Sequence, residues 1–434
     1  MIRSIALILL LSSLCSPQTK SGASSAGKAG AQTFSLGKVR ASGSEWFPEG
    51  DIVKATGLKP GATVTGDDLK QAASRLAQCG VFKEVRFSFD GVSADYVVVD
   101  ADQLVPATFE NFVWFSDAEL VERVHGAVPL FNGNVPLTGD LADQISAVLD
   151  SILKQKGIPG HATSMMQGTL AGQLQTLQFT IDGIEAKITE IRFPGSASDR
   201  TPLLQTATKL LVGEDYLRST VAETINRNAP YVYGKLGFLK AQFGAPKPVI
   251  LQDDARQPAV AVEVPVQEGD QYTFAALNWT GASMVPTAEL AKGIDLKPGS
   301  PADTTQLSKG IAAVKQLYGA RGYMYAQVRS TATLDAEKHT ATFNLEVKEG
   351  PLYHMGKLEI QGLEPERTQL VQKVWELHQG DVYDASYPPT FLKKHPRELA
   401  ALNGWAAHFT QTIHDDAHVV DLNLKFEKFQ QQAK

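Results

Sequence analysis

The stretch Cys79-Gly80-Val81-Phe82-Lys83-Glu84-Val85 joins the end of an apolar helical pattern to the start of an alternating strand. The same signal, a glycine followed by apolar residues, occurs five times in the 434 residues, at Gly80, Gly157, Gly237, Gly322 and Gly404. These glycines are 77, 80, 85 and 82 residues apart. Such a period is too long for a solenoid and indicates a row of small domains.

The fourth repeat shows the pattern of one unit most clearly. An alternating strand at 272–279 is followed by a helix from Leu290 and by a second helix with one apolar face. Either Gly319 or Gly322 is expected to end that second helix in the left-handed conformation. Two strands follow, at 323–331 and at 343–347, and the second alternates strictly. The unit is therefore predicted to be β-α-α-β-β.

The repeats predict the domain boundaries along the chain. We expect a signal peptide and leader at 1–32, five units at 33–103, 104–184, 185–269, 270–350 and 351–428, and a tail at 429–434. Short acidic-glycine junctions, such as Glu268-Gly269 and Glu349-Gly350, leave little free linker between neighbouring units.

Three features together resemble POTRA domains, the periplasmic modules of the BamA and TamA outer-membrane assembly proteins. They are the β-α-α-β-β order, the helix-ending glycine with its apolar successor, and the junction Glu349-Gly350-Pro351-Leu352-Tyr353. The resemblance covers about residues 34–427 and is weaker around 131–138 and 247–257. It implies an α+β fold: a tandem array of five small POTRA-like domains, each a three-stranded mixed sheet with two helices on one face.

The family continues from its last POTRA domain into a membrane β-barrel, whose strands need about 10 residues each. Only eight residues follow Phe426 in this sequence. We therefore expect that a separate chain supplies any barrel.

The amino terminus predicts export. Arg3 and the apolar residues 5–11 have the pattern of a secretory signal peptide, and the apolar run is too short to span a membrane. Cys15 raises the alternative of a lipoprotein, although Leu14 stands where a small residue is preferred. The expected location is the periplasm, with an association with the outer membrane, peripheral or through a lipid on Cys15.

The composition disfavours several classes of function. A net charge of −6 and a pI near 5.9 do not match the clustered positive charge of nucleic-acid-binding proteins. With Cys15 removed or lipidated, Cys79 is left alone, so no intrachain disulfide is expected, and its place in a helical pattern predicts a buried core thiol.

The sequence shows no clear catalytic constellation. His414-Asp415-Asp416-Ala417-His418 has histidines four residues apart, which would suit a metal on a helix, but it lies between two predicted strands. A hairpin turn is therefore the favoured interpretation. We expect no enzyme activity, no cofactor and no metal.

Function is then expected from a sheet edge. In POTRA domains the edge strand is the one after the glycine mark, and the resemblance places it here at 81–89 and 323–331. Such an edge pairs with an extended guest through its backbone. The expected partner-binding residues are Val85, Arg86, Phe87, Phe89, Tyr325, Gln327 and Arg329.

The expected partners are unfolded outer-membrane barrel proteins or a barrel assembly partner; the alternative is a structural or regulatory envelope protein that bridges one dedicated partner complex. Pro159, after the second mark, is expected to weaken the edge of the second unit.

Overall fold

The computed structural model describes residues 32–168 and 174–428. The predicted signal peptide with Cys15, and the tail at 429–434, lie outside the described residues. The chain divides into two compact units, which are larger than the sequence repeats and are called the first and second unit from here on. The first comprises Met1–Pro194, Thr208–Ile225 and Ala245–Val264, and the second comprises Gly195–Ala207, Asn226–Gly244 and Pro265–Lys434.

Helices and strands alternate in a repeated order. The helices are α1 (Glu49–Thr56), α2 (Gly66–Gln78), α3 (Asp117–Ala127), α4 (Leu141–Lys156), α5 (Thr201–Thr208), α6 (Arg218–Lys235), α7 (Thr287–Lys292), α8 (Thr304–Gly319), α9 (Pro365–Val374) and α10 (Tyr387–Lys394). The strands are β1 (Thr33–Ser35), β2 (Lys38–Ser42), β3 (Thr63–Thr65), β4 (Phe82–Phe89), β5 (Ser93–Asp100), β6 (Leu104–Phe109), β7 (Asn134–Pro136), β8 (His161–Gly168), β9 (Leu174–Asp182), β10 (Lys187–Arg192), β11 (Gln242–Phe243), β12 (Lys247–Gln252), β13 (Ala259–Glu263), β14 (Val266–Gln267), β15 (Thr273–Thr280), β16 (Gln327–Asp335), β17 (Thr340–Lys348), β18 (His354–Gln361), β19 (Trp405–His414) and β20 (Val419–Lys428).

Sixteen of the described strands form five mixed sheets of three or four strands, and the other four form the two-stranded antiparallel sheets β1-β3 and β11-β14. The orders of the mixed sheets are β2-β5-β4, β7-β6-β9-β8, β10-β13-β12, β15-β17-β16 and β18-β20-β19. In each mixed sheet the central strand pairs in parallel with the strand before the helices and antiparallel with its hairpin partner. This agrees with the expected α+β class of mixed sheets.

The second sheet differs from the expected three strands. β7 adds to its edge, with Val105 opposite Val135 and both side chains buried. The segment around 131–138, where the resemblance is weak, thus contributes a fourth strand.

Each central strand carries its apolar side chains on one face. In β17 the alternating residues Ala341, Phe343, Leu345 and Val347 are all buried. Full burial of each large apolar side chain stabilises the fold by about 1.5–3 kcal/mol. Because the helices cover this face, the opposite face of β17 is left to polar side chains.

The helix before each hairpin ends in a glycine with positive φ. The φ values of Gly80, Gly157, Gly237, Gly322 and Gly404 lie between 81° and 86°. After Gly322, the N–H of Tyr323 donates to the Tyr318 carbonyl at 3.0 Å, and the N–H of Gly322 donates to Gly319 at 3.2 Å. This is the Schellman arrangement, and it identifies Gly322 rather than Gly319 as the left-handed residue.

In the second unit, two of these glycines also contact the backbone of the tyrosine that precedes the next strand. A Cβ on Gly322 would stand 2.8 Å from the carbonyl oxygen of Tyr353, whose N–H donates to the Gly322 carbonyl at 2.8 Å. Gly237 faces Tyr272 in the same way, with a 2.8 Å hydrogen bond from Tyr272 N–H. A side chain at either position therefore meets backbone, which cannot move aside.

An acidic residue at the end of the central strand closes the loop that follows the first strand. Glu349 accepts N–H bonds from Ser283 and Met284 at 2.9 and 2.8 Å and a hydroxyl bond from Tyr318 at 2.9 Å. Glu268 does the same for the loop before α5, accepting from Ala197 N–H at 2.8 Å. This is the physical reason for the acidic-glycine signal at these junctions.

Glu268 also holds a partly buried ion pair. Arg200 Nη2 lies 2.6 Å from Glu268 Oε2, and the hydroxyl of Tyr233 donates to Glu268 at 2.5 Å. The hydrogen bonds from Arg200 are the largest influence and lower the pKa of Glu268 from 4.5 to about 2. Burial acts to raise this pKa and is outweighed.

In the second unit, the parallel edge strands are irregular and the antiparallel ones are regular. β15 has a register shift between Phe274 and Ala276, and β18 has one between Met355 and Leu358. β16 and β19 keep their register over their whole lengths. Bulges of this kind disturb the row of backbone groups that a guest strand would need.

We expect Gly322→Ala to destabilise the second unit more than Gly404→Ala. Gly404 has the same positive φ but open space around it, so alanine there costs only the strain of the left-handed conformation, about 1–2 kcal/mol. At Gly322 the collision with Tyr353 adds about 1–3 kcal/mol. Urea unfolding followed by tryptophan fluorescence measures both, and equal losses would contradict the close contact.

We expect the Glu268 ion pair to contribute pH-dependent stability. Since its pKa is lowered in the folded state, the contribution is complete above pH 4.5 and is lost as the pH falls from 4.5 to about 2. Glu268→Gln should cost about 2 kcal/mol at pH 7 and little at pH 2. Thermal melting across this range, with the exposed Glu337→Gln as control, tests it; an equal loss at both ends of the range would refute it.

Candidate binding edges

The strand β4 is one edge of the first sheet. It pairs with β5 on one side, from Phe82 opposite Asp100 to Phe89 opposite Ala94, and no described strand pairs with it on the other side. The strand predicted at 81–89 therefore begins one residue before the observed strand, and it lies at the edge of the sheet, as expected.

The hairpin turn fixes which backbone groups of β4 point outward. Asp90 N–H donates to the Ser93 carbonyl at 3.2 Å, so this facing pair is hydrogen-bonded. In an antiparallel ladder such pairs alternate with pairs that do not exchange hydrogen bonds. Ser88 and Arg86 therefore direct their backbone groups to β5. Val85, Phe87 and Phe89, which alternate with these two residues, direct their N–H and C=O groups to the open edge.

The side chains of the same outward residues form a half-buried apolar row. Phe87 stacks on Tyr96 at 5.8 Å between ring centroids, and Phe89 meets Phe34 edge-on at 5.3 Å. Arg86 lies on the opposite face, exposed, in an ion pair with Glu84 at 2.7 Å. Of the four residues predicted here, three therefore combine open backbone with apolar side chains, and Arg86 does not.

The second predicted edge begins later than expected. β16 starts at Gln327 rather than 323, because Tyr323 completes the helix end and Ala326 N–H closes a turn onto the Tyr323 carbonyl at 3.2 Å. The prediction that Tyr325 lies on this edge is wrong. Its ring instead packs against Tyr353 at 5.6 Å, and partial desolvation, with Asp415 nearby, raises the pKa of its phenol.

Gln327 and Arg329 do lie on the edge strand β16. Both are exposed on the solvent face, opposite Lys348 and Glu346. The residues on the core face of this strand include the exposed Ser330 and Ala332, so β16 offers a guest less apolar surface than β4 does.

A third edge was missed from the sequence. β19 spans ten residues in unbroken register with β20, and Phe409 on its core face is 38% exposed. The signal that identifies it is the apolar set Ala407, Phe409 and Ile413 on one face, with Thr410 and Thr412 on the other. In the second sheet, Pro159 precedes β8 and lies outside it, so the expectation that this proline weakens that edge is wrong.

The His414–His418 segment is a hairpin turn, as favoured. β19 ends at His414, β20 begins at Val419, and His418 takes a positive φ of 49° in the turn. His414 Nε2 lies 2.9 Å from Asp421 Oδ2. Among residues 32–168 and 174–428, no cluster of three His, Cys, Asp or Glu residues is placed to hold a metal ion, and no helix is long and apolar enough to cross a membrane.

A family model places one repeat among known domains. The POTRA model, described as "Surface antigen variable number repeat", matches residues 272–350. Residues 272–350 therefore match a POTRA domain. The matched POTRA domain contains β15, α7, α8, β16 and β17 in that order.

Two curated relatives share this similarity over about half of the chain. The BamA outer membrane protein assembly factor of Neisseria meningitidis is 24% identical over 228 residues, which is 50% of this chain and 28% of that protein. A Treponema pallidum protein named "Putative outer membrane protein assembly factor" is 24% identical over 259 residues, 57% of this chain and 31% of its own. The chain thus spans less than a third of each relative's length in these matches.

A solved structure is also similar. POTRA domains 3–5 of BamA from Haemophilus influenzae are 18% identical, with 56% of this chain and 96% of that one covered and a TM-score of 0.40.

Cys79 is buried in the first core, as expected. It is 2% exposed, its Sγ lies 2.9 Å from the Leu76 carbonyl, and burial raises its pKa to about 11. A thiolate is the reactive form, so we expect alkylation at pH 8 to be about 100-fold slower in the folded chain than in urea. Iodoacetamide labelling of residues 32–434 with mass detection measures both rates; similar rates would show that the thiol is accessible.

Proposed function

We propose that this chain is a row of five POTRA-like modules, at 33–103, 104–184, 185–269, 270–350 and 351–428, that serves as a non-enzymatic scaffold in the periplasm. It binds extended segments of outer-membrane proteins, or of a barrel assembly partner, during assembly or secretion. The similarity to outer-membrane assembly factors supports the process.

The open edge of β4 carries the binding proposal. Val85, Phe87 and Phe89 direct unpaired backbone groups to solvent, and their side chains form the apolar row beside Tyr96. Added strands gain affinity from main-chain hydrogen bonds and preference from alternate side chains.

The strands of outer-membrane barrels suit this edge chemically. They alternate apolar and polar residues with a period of two. A guest strand on β4 would place its apolar residues beside the row of Val85, Phe87 and Phe89, and its polar residues beside Arg86 and Ser88. Because the backbone makes most of the contact, many different precursors can bind.

We expect Val85→Pro to abolish guest pairing without breaking the first sheet. The N–H of Val85 points to the open edge, so proline removes a hydrogen bond that only a guest would make. Val85→Ala is the matched control, because it removes the same side chain and keeps the N–H. The measurement is photocrosslinking in the native envelope from a benzoylphenylalanine at Ser88, with thermal melting of each variant.

Capture of several outer-membrane barrel proteins by wild type and Val85→Ala, and loss of capture with Val85→Pro at unchanged melting temperature, would support the scaffold function. Capture of one stoichiometric partner would instead indicate a dedicated complex. Equal capture by both variants would refute strand addition at β4.

A further inference from the structure

Two junctions in the second unit are built on the same backbone frame. At each, the N–H of a buried tyrosine donates to the carbonyl of a helix-ending glycine at 2.8 Å, from Tyr272 to Gly237 and from Tyr353 to Gly322. Both tyrosines are at most 1% exposed. We call these contacts the Gly237 junction and the Gly322 junction. Because the frames match, their side chains can be compared position by position.

The hairpin turn beside each tyrosine also matches. Four residues join β16 to β17, and four join β19 to β20. Each turn ends in a histidine with positive φ, 50° at His339 and 49° at His418. The carbonyl of that histidine accepts the N–H of the residue after the tyrosine at 2.9 Å. Ala336, the first residue of one turn, therefore corresponds to Asp415 in the other.

This difference decides whether the tyrosine hydroxyl has a partner. The hydroxyl of Tyr353 donates to Asp415 Oδ1 at 2.8 Å. The hydroxyl of Tyr272 is buried and makes no hydrogen bond within the part of the chain that the structure describes. The corresponding Ala336 offers no side-chain acceptor. A buried hydroxyl without a partner leaves its desolvation cost unmet.

The residue three positions after each glycine contacts the tyrosine ring across the junction. At the Gly322 junction the ring of Tyr325 meets that of Tyr353 edge-on at 5.6 Å, and its phenol lies near the Asp415 carboxylate. At the Gly237 junction the exposed Lys240 places its ammonium 5.7 Å from the centre of the Tyr272 ring. Asp415 therefore lies beside two tyrosines, one from each side of its junction.

The other polar contacts do not reverse this difference. The Gly322 junction has a second hydrogen bond between backbones, from Ala385 N–H to the Gly319 carbonyl at 3.1 Å. The Gly237 junction has one from the side-chain amide of Gln271 to the Leu236 carbonyl at 2.8 Å. Gln271 is exposed, so water competes for this bond and its net contribution is small.

We propose that the Gly237 junction opens more readily than the Gly322 junction, so that the modules at 270–350 and 351–428 move together as one body. Asp415 is the positioning residue. Its carboxylate fixes the Tyr353 ring through the hydroxyl, and the fixed ring is the surface on which Tyr325 packs. At the Gly237 junction the Tyr272 ring lacks such a fixed end. This difference is separate from the β4 edge and does not depend on strand addition there.

Amide hydrogen exchange compares the two junctions in one sample. Residues 32–434, which contain all 11 tyrosines, are labelled with 15N-tyrosine, and the signals are assigned by Tyr→Phe substitution. Each junction N–H exchanges with solvent when its hydrogen bond to the glycine opens. After correction for intrinsic rates, we expect Tyr272 to exchange about tenfold faster than Tyr353. Equal rates would overturn the proposal.

Two reciprocal substitutions exchange the side chains of the two turns. Asp415→Ala should accelerate exchange at Tyr353 about tenfold, because it removes the acceptor. Ala336→Asp should slow exchange at Tyr272 by about the same factor, because it supplies one. Asp416→Ala, in the same turn as Asp415 and exposed, is the matched control and should leave both rates unchanged. Unchanged rates in both reciprocal variants would overturn the role of Asp415.

Tyr383 separates opening of the junction from unfolding of the module. Its N–H donates to the Tyr353 carbonyl at 2.9 Å, and both residues belong to the module at 351–428. Its exchange should therefore be the same in wild type and in Asp415→Ala. Acceleration of Tyr383 and Tyr353 by one factor would mean that Asp415 stabilises the whole module, and would refute a role at the junction.

The range of movement at each junction is the second readout. Pulsed electron paramagnetic resonance measures the distance distribution between two spin labels placed on exposed positions. The pair across the Gly237 junction is Lys235 and Lys338, and the pair across the Gly322 junction is Lys315 and Lys425. We expect the first distribution to be the broader one. Equal widths, or a broader distribution across the Gly322 junction, would overturn the proposal.

Discussion

Each repeat depends on one residue that can take a positive φ without strain where its second helix ends. At Gly322 the left-handed turn satisfies the last helical carbonyls and redirects the chain into the edge strand. The missing side chain also lets backbone approach from the next module. A single glycine therefore closes a helix, starts a hairpin and forms a junction.

The second requirement is an acidic residue after the central strand. Glu268 and Glu349 each tie the loop behind the first strand to a tyrosine on the second helix, Tyr233 and Tyr318. Since these tyrosines stand four residues before the helix-ending glycines, the acid and the glycine hold the same last turn from two sides. The polar contact and the backbone turn thus stabilise one another in these two modules.

The repeated order of helices and strands was predictable from the sequence, because glycine marks and period-two alternation report local backbone directly. The mixed sheets and the position of the β4 edge were implied only by the resemblance to POTRA domains, since strand pairing is not a local property. The start of β16 was not predictable, since Tyr323 looks like a strand residue but is used to cap α8, with its ring 5.9 Å from Tyr318. The hydrogen bond between Glu110 and Ser219 could not be predicted from the sequence either, because it joins residues more than one hundred positions apart. No local pattern reports such a pairing.

The register shifts in β15 and β18 make the sheets of the second unit asymmetric. A sheet whose two edges were equally regular could join further copies on both sides and grow into a continuous ribbon. With the parallel edge interrupted, β16 and β19 remain the regular edges, so each of these sheets can be extended in one direction only. Even at high local concentration, copies of the protein therefore cannot stack these sheets edge to edge into a continuous ribbon.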